Sequence, residues 1–173
     1  MQYITSYNSP LGEILISADE IGITGLWFCG QKYFGADLEE NAQNKETLIL
    51  KETKNWLDIY FSGNEPKSLP PIHLIGTEFQ LEVWNILCKI PYGKTTTYGE
   101  IANIIAKNRG ISHMSSQAVG GAVGHNKISI IVPCHRVIGH NNSLIGYAGG
   151  IEKKKKLLEL EGVIKPNRIY ELS

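Results

Sequence analysis

The chain has 173 residues, 42% hydrophobic and 20% charged, the composition of an ordinary soluble globular protein long enough to bury a core as one domain or two small ones. No apolar run nears the ~18 residues of a membrane span, and the start MQYITSYNSP lacks a signal-peptide pattern. We therefore expect no membrane partner and a place in the cytoplasm, or the nucleus if the cell has one. Seventeen basic residues balance seventeen acidic ones, yet residues 1–75 hold ten Asp/Glu against five Lys/Arg, and residues 76–173 seven against twelve. A basic C-terminal half suits a polyanion, although a solvated lysine face on a helix such as IEKKKKLLELEG is the simpler account of charge alone.

In chain order, residues 3–7 and 13–17 flank the turn Asn8–Gly12 and predict a hairpin. A third strand is expected at Ile23–Phe28, after a turn at Asp19–Gly22. From Glu46 to Phe61, Leu50, Thr53, Trp56, Leu57 and Tyr60 fall at helical spacing. The proline-bearing stretch SGNEPKSLPP ends that helix and leads to a boundary near residue 75. The second half, residues 76–173, reads as mainly helical. Phe79, Val83, Trp84, Leu87 and Cys88 share one face, with Cys88 as a core thiol, and Pro91-Tyr92-Gly93 ends the helix. Thr97-Tyr98-Gly99-Glu100 has the spacing of a capping box for a helix through Ala106. About eight loop residues then lead to Ser115-Ser116, an N-cap for the helix SQAVGGAVG, and the pair suggests a helix-turn-helix. Ile128–Val132 is expected to be a strand and Ile151–Glu161 a last helix stopped by Gly162.

Chemistry concentrates at IIVPCHRVIG, residues 130–139. A cysteine attacks as its thiolate, which is scarce at neutral pH when the pKa is near ~8.5, so Cys134 needs a base. His135 is adjacent, but successive side chains of an extended chain point apart, so a bridging water or a sharp turn is required. Glu161 stands at a helix C-terminus, where the macrodipole disfavours a carboxylate, and could be placed there to orient a histidine. Gly120-Gly121 inside a helix cost roughly 1 kcal/mol each against alanine. With Ala118, Gly121 and Ala122 on its surface, that helix is slim enough for a minor groove and has few base-reading side chains. The three cysteines, Cys29, Cys88 and Cys134, have neither disulfide nor metal-knuckle spacing, so no metal and no cofactor is expected.

Pro133-Cys134-His135-Arg136-Val137 resembles the active-site signature of the O6-alkylguanine-DNA alkyltransferases, the methylated-DNA–protein-cysteine methyltransferases. TTYGEIA, AVGGAVGHN, ISIIVPCHRVIG, GYAGG and LLELEG follow the family in order and spacing over residues 78–163. The resemblance implies an α+β protein: a small N-terminal α/β, ribonuclease-H-like domain at 1–75, then a winged-helix-like DNA-binding and catalytic domain at 76–173. It implies single-turnover repair, in which Cys134 irreversibly takes the alkyl group from O6-alkylguanine, and leaves activity on O4-alkylthymine open. It also implies double-stranded DNA as the partner and a monomeric protein. His135 would be the base acting through water, Glu161 would hold its other nitrogen, and Asn126 would fix the water and the turn. Tyr98 would crowd the target phosphate and protonate guanine N3. The carbonyls of Cys134 and Val137 would receive the guanine amino group, Tyr147 and Ala148 would line the pocket, and Arg136 would pack around the turn. Ser116, Gln117, Ala118, Gly121 and Ala122 would face DNA.

This chain departs from the family in having Gln117 where an arginine commonly fills the gap left by the flipped base. Its loop at about 107–114 is also longer and brings Arg109, an alternative gap-filler, and His113. A non-catalytic sensor of the same family would lack the acceptor cysteine, which is present. A cysteine hydrolase would need an oxyanion-hole segment, and none is identifiable.

Overall fold

The structure, a computed structural model, describes residues 1–165, so residues 166–173 of the expected second domain lie outside the described residues. It divides into two compact units: Met1–Ile75 with Lys127–Ile131, and Gly76–Asn126 with the chain from Val132 onward.

In the first unit, β1 (Tyr3–Ser9) and β2 (Gly12–Ala18) pair antiparallel in the register Ser9↔Gly12 to Tyr3↔Ala18. The two-residue link closes because Gly12 adopts φ +120° and the Ser9 hydroxyl donates to the Gly12 carbonyl at 2.7 Å. Strand β3 (Ile23–Phe28) pairs antiparallel with β2, and β4 (Gln43–Asn44) adds parallel to β1, giving the order β3-β2-β1-β4. All six residues of β3 are buried although it is the outer strand. Its outer edge is covered by two short segments: the Ile23 N–H donates to Pro71 O, and the Leu26 N–H to Lys127 O, each at 2.8 Å. Helix α1 (Leu48–Phe61) starts at the Thr47 cap and buries Leu50, Thr53, Trp56, Leu57 and Tyr60, the face expected from spacing. It packs on β1 and β2.

The second unit carries α2 (Glu78–Leu87), α3 (Tyr98–Arg109), α4 (Ser116–Gly124) and α5 (Ile151–Leu160), with a two-stranded parallel ladder between β5 (Thr96–Thr97) and β6 (Val137–Ile138). Helices α2, α3 and α4 pack together, and the buried Trp84 indole N–H donates to the Ala122 carbonyl at 2.9 Å.

Local expectations change in four places. The full capping box is at α2, where Thr77 and Gln80 exchange bonds; at α3 Thr97 caps Glu100 N–H, but the Glu100 carboxylate bonds the Thr96 hydroxyl. Helix α3 continues to Arg109, where Gly110 at φ +67° ends it, so the link to α4 is shorter than expected. Cys88 is the half-buried C-cap of α2. Ile128–Val132 is not a strand: only Ile128 bridges to Leu26, after which a tight turn closes with the Ile131 N–H donating to Ser129 O at 2.8 Å. Ile130, at its centre, takes φ +71°, an uncommon and strained value for a β-branched residue. The β-branched run thus ends in a forced change of direction just ahead of Pro133-Cys134.

Candidate active site

Cys134, His135 and Arg136 form a single turn of 3-10 helix after Pro133. The chain thus turns sharply here, but the turn sends adjacent side chains to different neighbours and makes no direct Cys134–His135 bond, so a bridging water is the route left between them. The Cys134 thiol is buried, and burial pushes its pKa up. A hydrogen bond from the Asn126 side chain, the Lys154 charge, and the backbone N–H groups of Cys134 and His135 pull the other way, favouring the thiolate. The same Asn126 amide donates to Val132 O at 2.8 Å, so one side chain fixes both the approach to the turn and the sulfur.

His135 is fully buried and its Nε2 meets Glu161 Oε2 at 2.5 Å. A carboxylate only accepts, so Nε2 carries the hydrogen and Nδ1 holds the lone pair of a neutral ring. Burial lowers the imidazole pKa despite Glu161, keeping the ring neutral and ready to take a proton. His135 Nδ1 is buried and meets no hydrogen-bonding protein group. Glu161 is the C-cap of α5, 6% exposed, and burial would raise its pKa; the His135 hydrogen bond and Arg136 outweigh this and bring it to about 2. Arg136 donates through Nε to Glu161 Oε1 at 2.8 Å and through Nη1 to Ile90 O at 2.7 Å, with Tyr92 under the guanidinium. The Gly93 N–H adds a bond to Glu161 Oε1 at 3.3 Å. A carboxylate unfavourable for the helix dipole is thus held by a ring, a guanidinium and a backbone amide.

Tyr98, first residue of α3, donates its hydroxyl to Ile145 O at 3.1 Å. Burial, then the neighbouring Cys134, pushes its pKa up to about 12. Gly120 and Gly146 flank it: a Cβ at Gly120 would come to 3.7 Å of the ring, and one at Gly146 to 3.2 Å of the hydroxyl. Tyr147 and Ala148 are half-buried in the loop ahead of α5. The carbonyls of Cys134 and Val137 already accept from Val137 N–H and Lys154 respectively, which leaves each a second lone pair.

On α4, Ser116, Gln117, Ala118 and Gly121 are exposed, and a Cβ at Gly121 would meet open space. Ala122 is a correction: it is buried, under α2, where its carbonyl takes the Trp84 bond, and cannot lie on the outer face. Arg109 is a second one. It is not in a loop but at the end of α3, donating to Glu82 Oε1 at 2.6 Å and stacked on Phe79. Held there, it is not placed to fill a gap at α4. Cys29 is exposed. Among the described residues no group of three or more His, Cys, Asp and Glu could hold a metal ion.

Lys154 was missed. Read as part of a solvated lysine run, it is fully buried, and its ammonium reaches Val137 O, Ile145 O and Gly146 O at 2.5, 2.6 and 3.1 Å. The available signal was its phase. Ile151, Lys154, Leu158 and Glu161 recur at i, i+3, i+7 and i+10, which sets Lys154 on the inward stripe of α5.

Residues 78–163 match the 6-O-methylguanine DNA methyltransferase DNA binding domain, and residues 2–74 match the ribonuclease-like domain of the same family. A methylated-DNA–protein-cysteine methyltransferase of Methanosarcina acetivorans is 42% identical over 160 residues, 92% of this chain and 98% of that one. The constitutive enzyme of that name from Bacillus subtilis is 38% identical over 165 residues, 94% of this chain and 97% of its own. Among solved structures, the O6-methylguanine methyltransferase of Mycobacterium tuberculosis is similar at 37% identity and TM-score 0.79 over 97% of both chains. The same organism's protein in complex with DNA matches with TM-score 0.79 over 92% of both. A buried thiol, a neutral histidine next to it in sequence, the carboxylate that holds that histidine and a half-buried tyrosine thus lie in a chain matched along nearly its whole length, and the chain belongs to the O6-methylguanine-DNA methyltransferase family.

Proposed function

We propose that this chain repairs DNA by taking an alkyl group from the O6 oxygen of guanine onto Cys134, once per molecule. The observation that carries the assignment to Cys134 is its setting: a buried thiol with thiolate-favouring hydrogen bonds, beside a neutral histidine backed by a fully engaged carboxylate. The thiol proton passes through a water to His135 Nδ1, and Glu161 steadies the imidazolium that results. The thiolate attacks the alkyl carbon; the S–C bond forms as the C–O6 bond breaks, and the electron pair leaves with guanine. Tyr98 gives guanine N3 its proton and is reprotonated from His135. In sum the thiol hydrogen and the alkyl group change places. A thioether has no hydrolytic exit, so the protein acts as a stoichiometric reagent.

The base must leave the duplex to reach a thiol this buried, at a cost of a few kcal/mol. The exposed face of α4, with Ser116, Gln117, Ala118 and Gly121, is the surface we assign to DNA. Val137, Tyr147 and Ala148 would line the base pocket, with no cofactor, in the second unit, whose 76–173 span is interrupted by Lys127–Ile131, and the protein works as a monomer. No helix among the described residues is long and apolar enough to cross a membrane. We place that action on DNA in the cytoplasm, or in the nucleus where there is one.

A duplex oligonucleotide carrying one O6-methylguanine, incubated with the protein and followed by intact mass and peptide mapping, tests this. One methyl on Cys134 and one equivalent of lesion consumed is the expected result. Turnover beyond one equivalent, or methyl on another residue, would sink it.

A further inference from the structure

Helix α1 and residues 64–70 behind it enclose a hollow of about 800 Å³ in the first unit, within the size range of binding sites. One wall is a single face of α1, from Glu52 through Trp56 to Ile59. Trp56, 8% exposed and stacked on Tyr60, lines the hollow, and its buried indole N–H meets no acceptor. The Trp84 indole, buried as deeply, donates to Ala122 O. Burying an unpaired donor is unfavourable, so the fold keeps the Trp56 indole here against its own stability. The opposite wall is a strap held at its ends. The Asn64 N–H donates to Ile59 O at 3.4 Å, and Pro71 O accepts from the Ile23 N–H at 2.8 Å; no hydrogen bond ties residues 65–70 to the rest of the described chain. Ile59 on the helix and Leu69 on the strap are both exposed. Glu52 and Glu65 set two carboxylates against the one ammonium of Lys67, and neither carboxylate forms an ion pair among the described residues. Residues 1–75 as a whole are acidic, with ten Asp/Glu against five Lys/Arg.

We propose that this groove takes a short extended segment of a partner protein, one that carries a basic side chain beside an aliphatic one. Three demands of the walls select that chemistry. The unpaired N–H of Trp56 calls for a carbonyl, the unpaired carboxylates of Glu52 and Glu65 for a cation, and Ile59 with Leu69 for an aliphatic group. From Glu52 to Ile59 the helix rises roughly 10 Å. That is the reach of about three extended residues, and a peptide of that length offers a carbonyl, a cation and an aliphatic side chain together. The Trp56 N–H is closed to solvent in this conformation, so the strap moves outward as the segment enters, which its missing hydrogen bonds allow. None of these side chains belongs to the thiol site or to the exposed face of α4, so filling of the groove and alkyl transfer can fail independently.

The test follows the tryptophan indole N–H signals of the whole chain by NMR while two capped tripeptides are added, acetyl-Arg-Leu-Arg-amide and acetyl-Glu-Leu-Glu-amide. The Trp56 signal is assigned through its contacts to the Tyr60 ring, and by its loss in Trp56→Phe where that variant folds. The arginine peptide, added to about 10 mM so that millimolar contacts register, should move the Trp56 signal downfield along a saturating curve. The Trp84 signal, whose N–H is already bonded, should stay in place. The glutamate peptide should move neither. Glu52→Gln combined with Glu65→Gln changes two exposed side chains and should weaken binding of the arginine peptide about threefold or more. An equal response to both peptides, or binding unchanged by the two substitutions, would remove charge from the recognition and overturn the proposal. No movement of the Trp56 signal with either peptide would also sink it, and a magnetisation transfer from water to that N–H would then identify the hollow as a hydration site.

Discussion

The two units of the molecule bury different kinds of polar group. The sheet unit closes over Ile14, Ile16, Ile23, Leu26, Leu50 and Leu57, and its buried polar side chains are hydroxyls and amides: Gln2, Thr5, Ser17, Thr24, Gln31, Thr53 and Ser129. The helical unit buries His135, Arg136, Lys154 and Glu161, the described chain's buried histidine and charged side chains. Desolvating such groups costs several kcal/mol each unless neighbours compensate, and apolar replacements are often as stable or more so. A fold has no need of that arrangement; a nucleophile does, because a site that raises and lowers proton affinities requires charge held out of water. The first unit is thus explained by packing and the second by packing around a reaction.

The sharpest way to break the contrast is Cys134→Ala. Alkyl transfer should vanish below detection, while affinity for duplex DNA stays within about twofold, because the exposed face of α4 does not include the thiol. Intact mass and a gel-shift titration measure the two separately. Loss of both in proportion would mean that DNA binding depends on the sulfur.

Glu161→Gln comes next. Arg136 would lose its carboxylate while remaining buried, and His135 the charge of its acceptor, so stability should fall by about 3–5 kcal/mol, the range for breaking one side of a buried pair. Transfer should slow even in the folded fraction, with the apparent pKa of Cys134 displaced upward in thiol labelling. An unchanged labelling profile would demote Glu161 to a structural anchor. The same network makes the protein acid-sensitive. Glu161 has its folded pKa depressed from 4.5 to about 2, so its contribution is complete above pH 4.5 and lost as pH falls toward 2. His135 is depressed below 6.5, so it too favours the folded state above that pH and less below it. Denaturant midpoints should therefore fall from about pH 6.5 downward and more steeply below 4.5. In Glu161→Gln the steep part should be missing, and its persistence would assign the acid step to other carboxylates.

Leu57→Ala probes the other side. This residue is fully buried on α1, and its truncation should cost about 2–5 kcal/mol. The rate of transfer per folded molecule should be unaltered. A changed rate constant at full folding would show that the sheet unit shapes the site.

The contrast also explains what could be read from sequence. The buried face of α1 was legible to the residue, though the helix starts two residues later than expected, because five side chains at helical spacing face an apolar sheet, where pattern and packing agree. Cys134, His135 and Glu161 were legible through a family signature, and Glu161 also through a misfit with its helix end. Ile128–Val132 misled because β-branched residues favour strands; the chain takes one bridge on the β3 edge and then turns, and β propensity does not encode where pairing stops. Lys154 hid for a similar reason. Four consecutive lysines look solvated, and only their phase against Leu157 and Leu158 separates the one that points inward. Arg109 was placed in a loop because the end of α3 was set three residues early.

The smallest expected effect is at Gln117, in the first turn of α4, exposed and uncharged. An arginine inserted into a vacated base stack fills it with a planar cation and adds attraction to the backbone; a glutamine can insert and hydrogen-bond but lacks the charge and most of the stacking. Gln117→Arg should therefore tighten duplex binding or speed duplex repair a few-fold, and leave the reaction with free O6-benzylguanine unchanged, since flipping belongs only to the duplex reaction. The rival gap-filler, Arg109, is bound to Glu82 through two nitrogens and stacked on Phe79. To enter a duplex it would first have to give up that pair and stack. Arg109→Ala should then reduce duplex and free-base rates little and equally. A selective loss of duplex repair in Arg109→Ala, with Gln117→Arg neutral or harmful, would reverse the assignment. Equal changes on both substrates in both variants would remove either side chain from the flipping step.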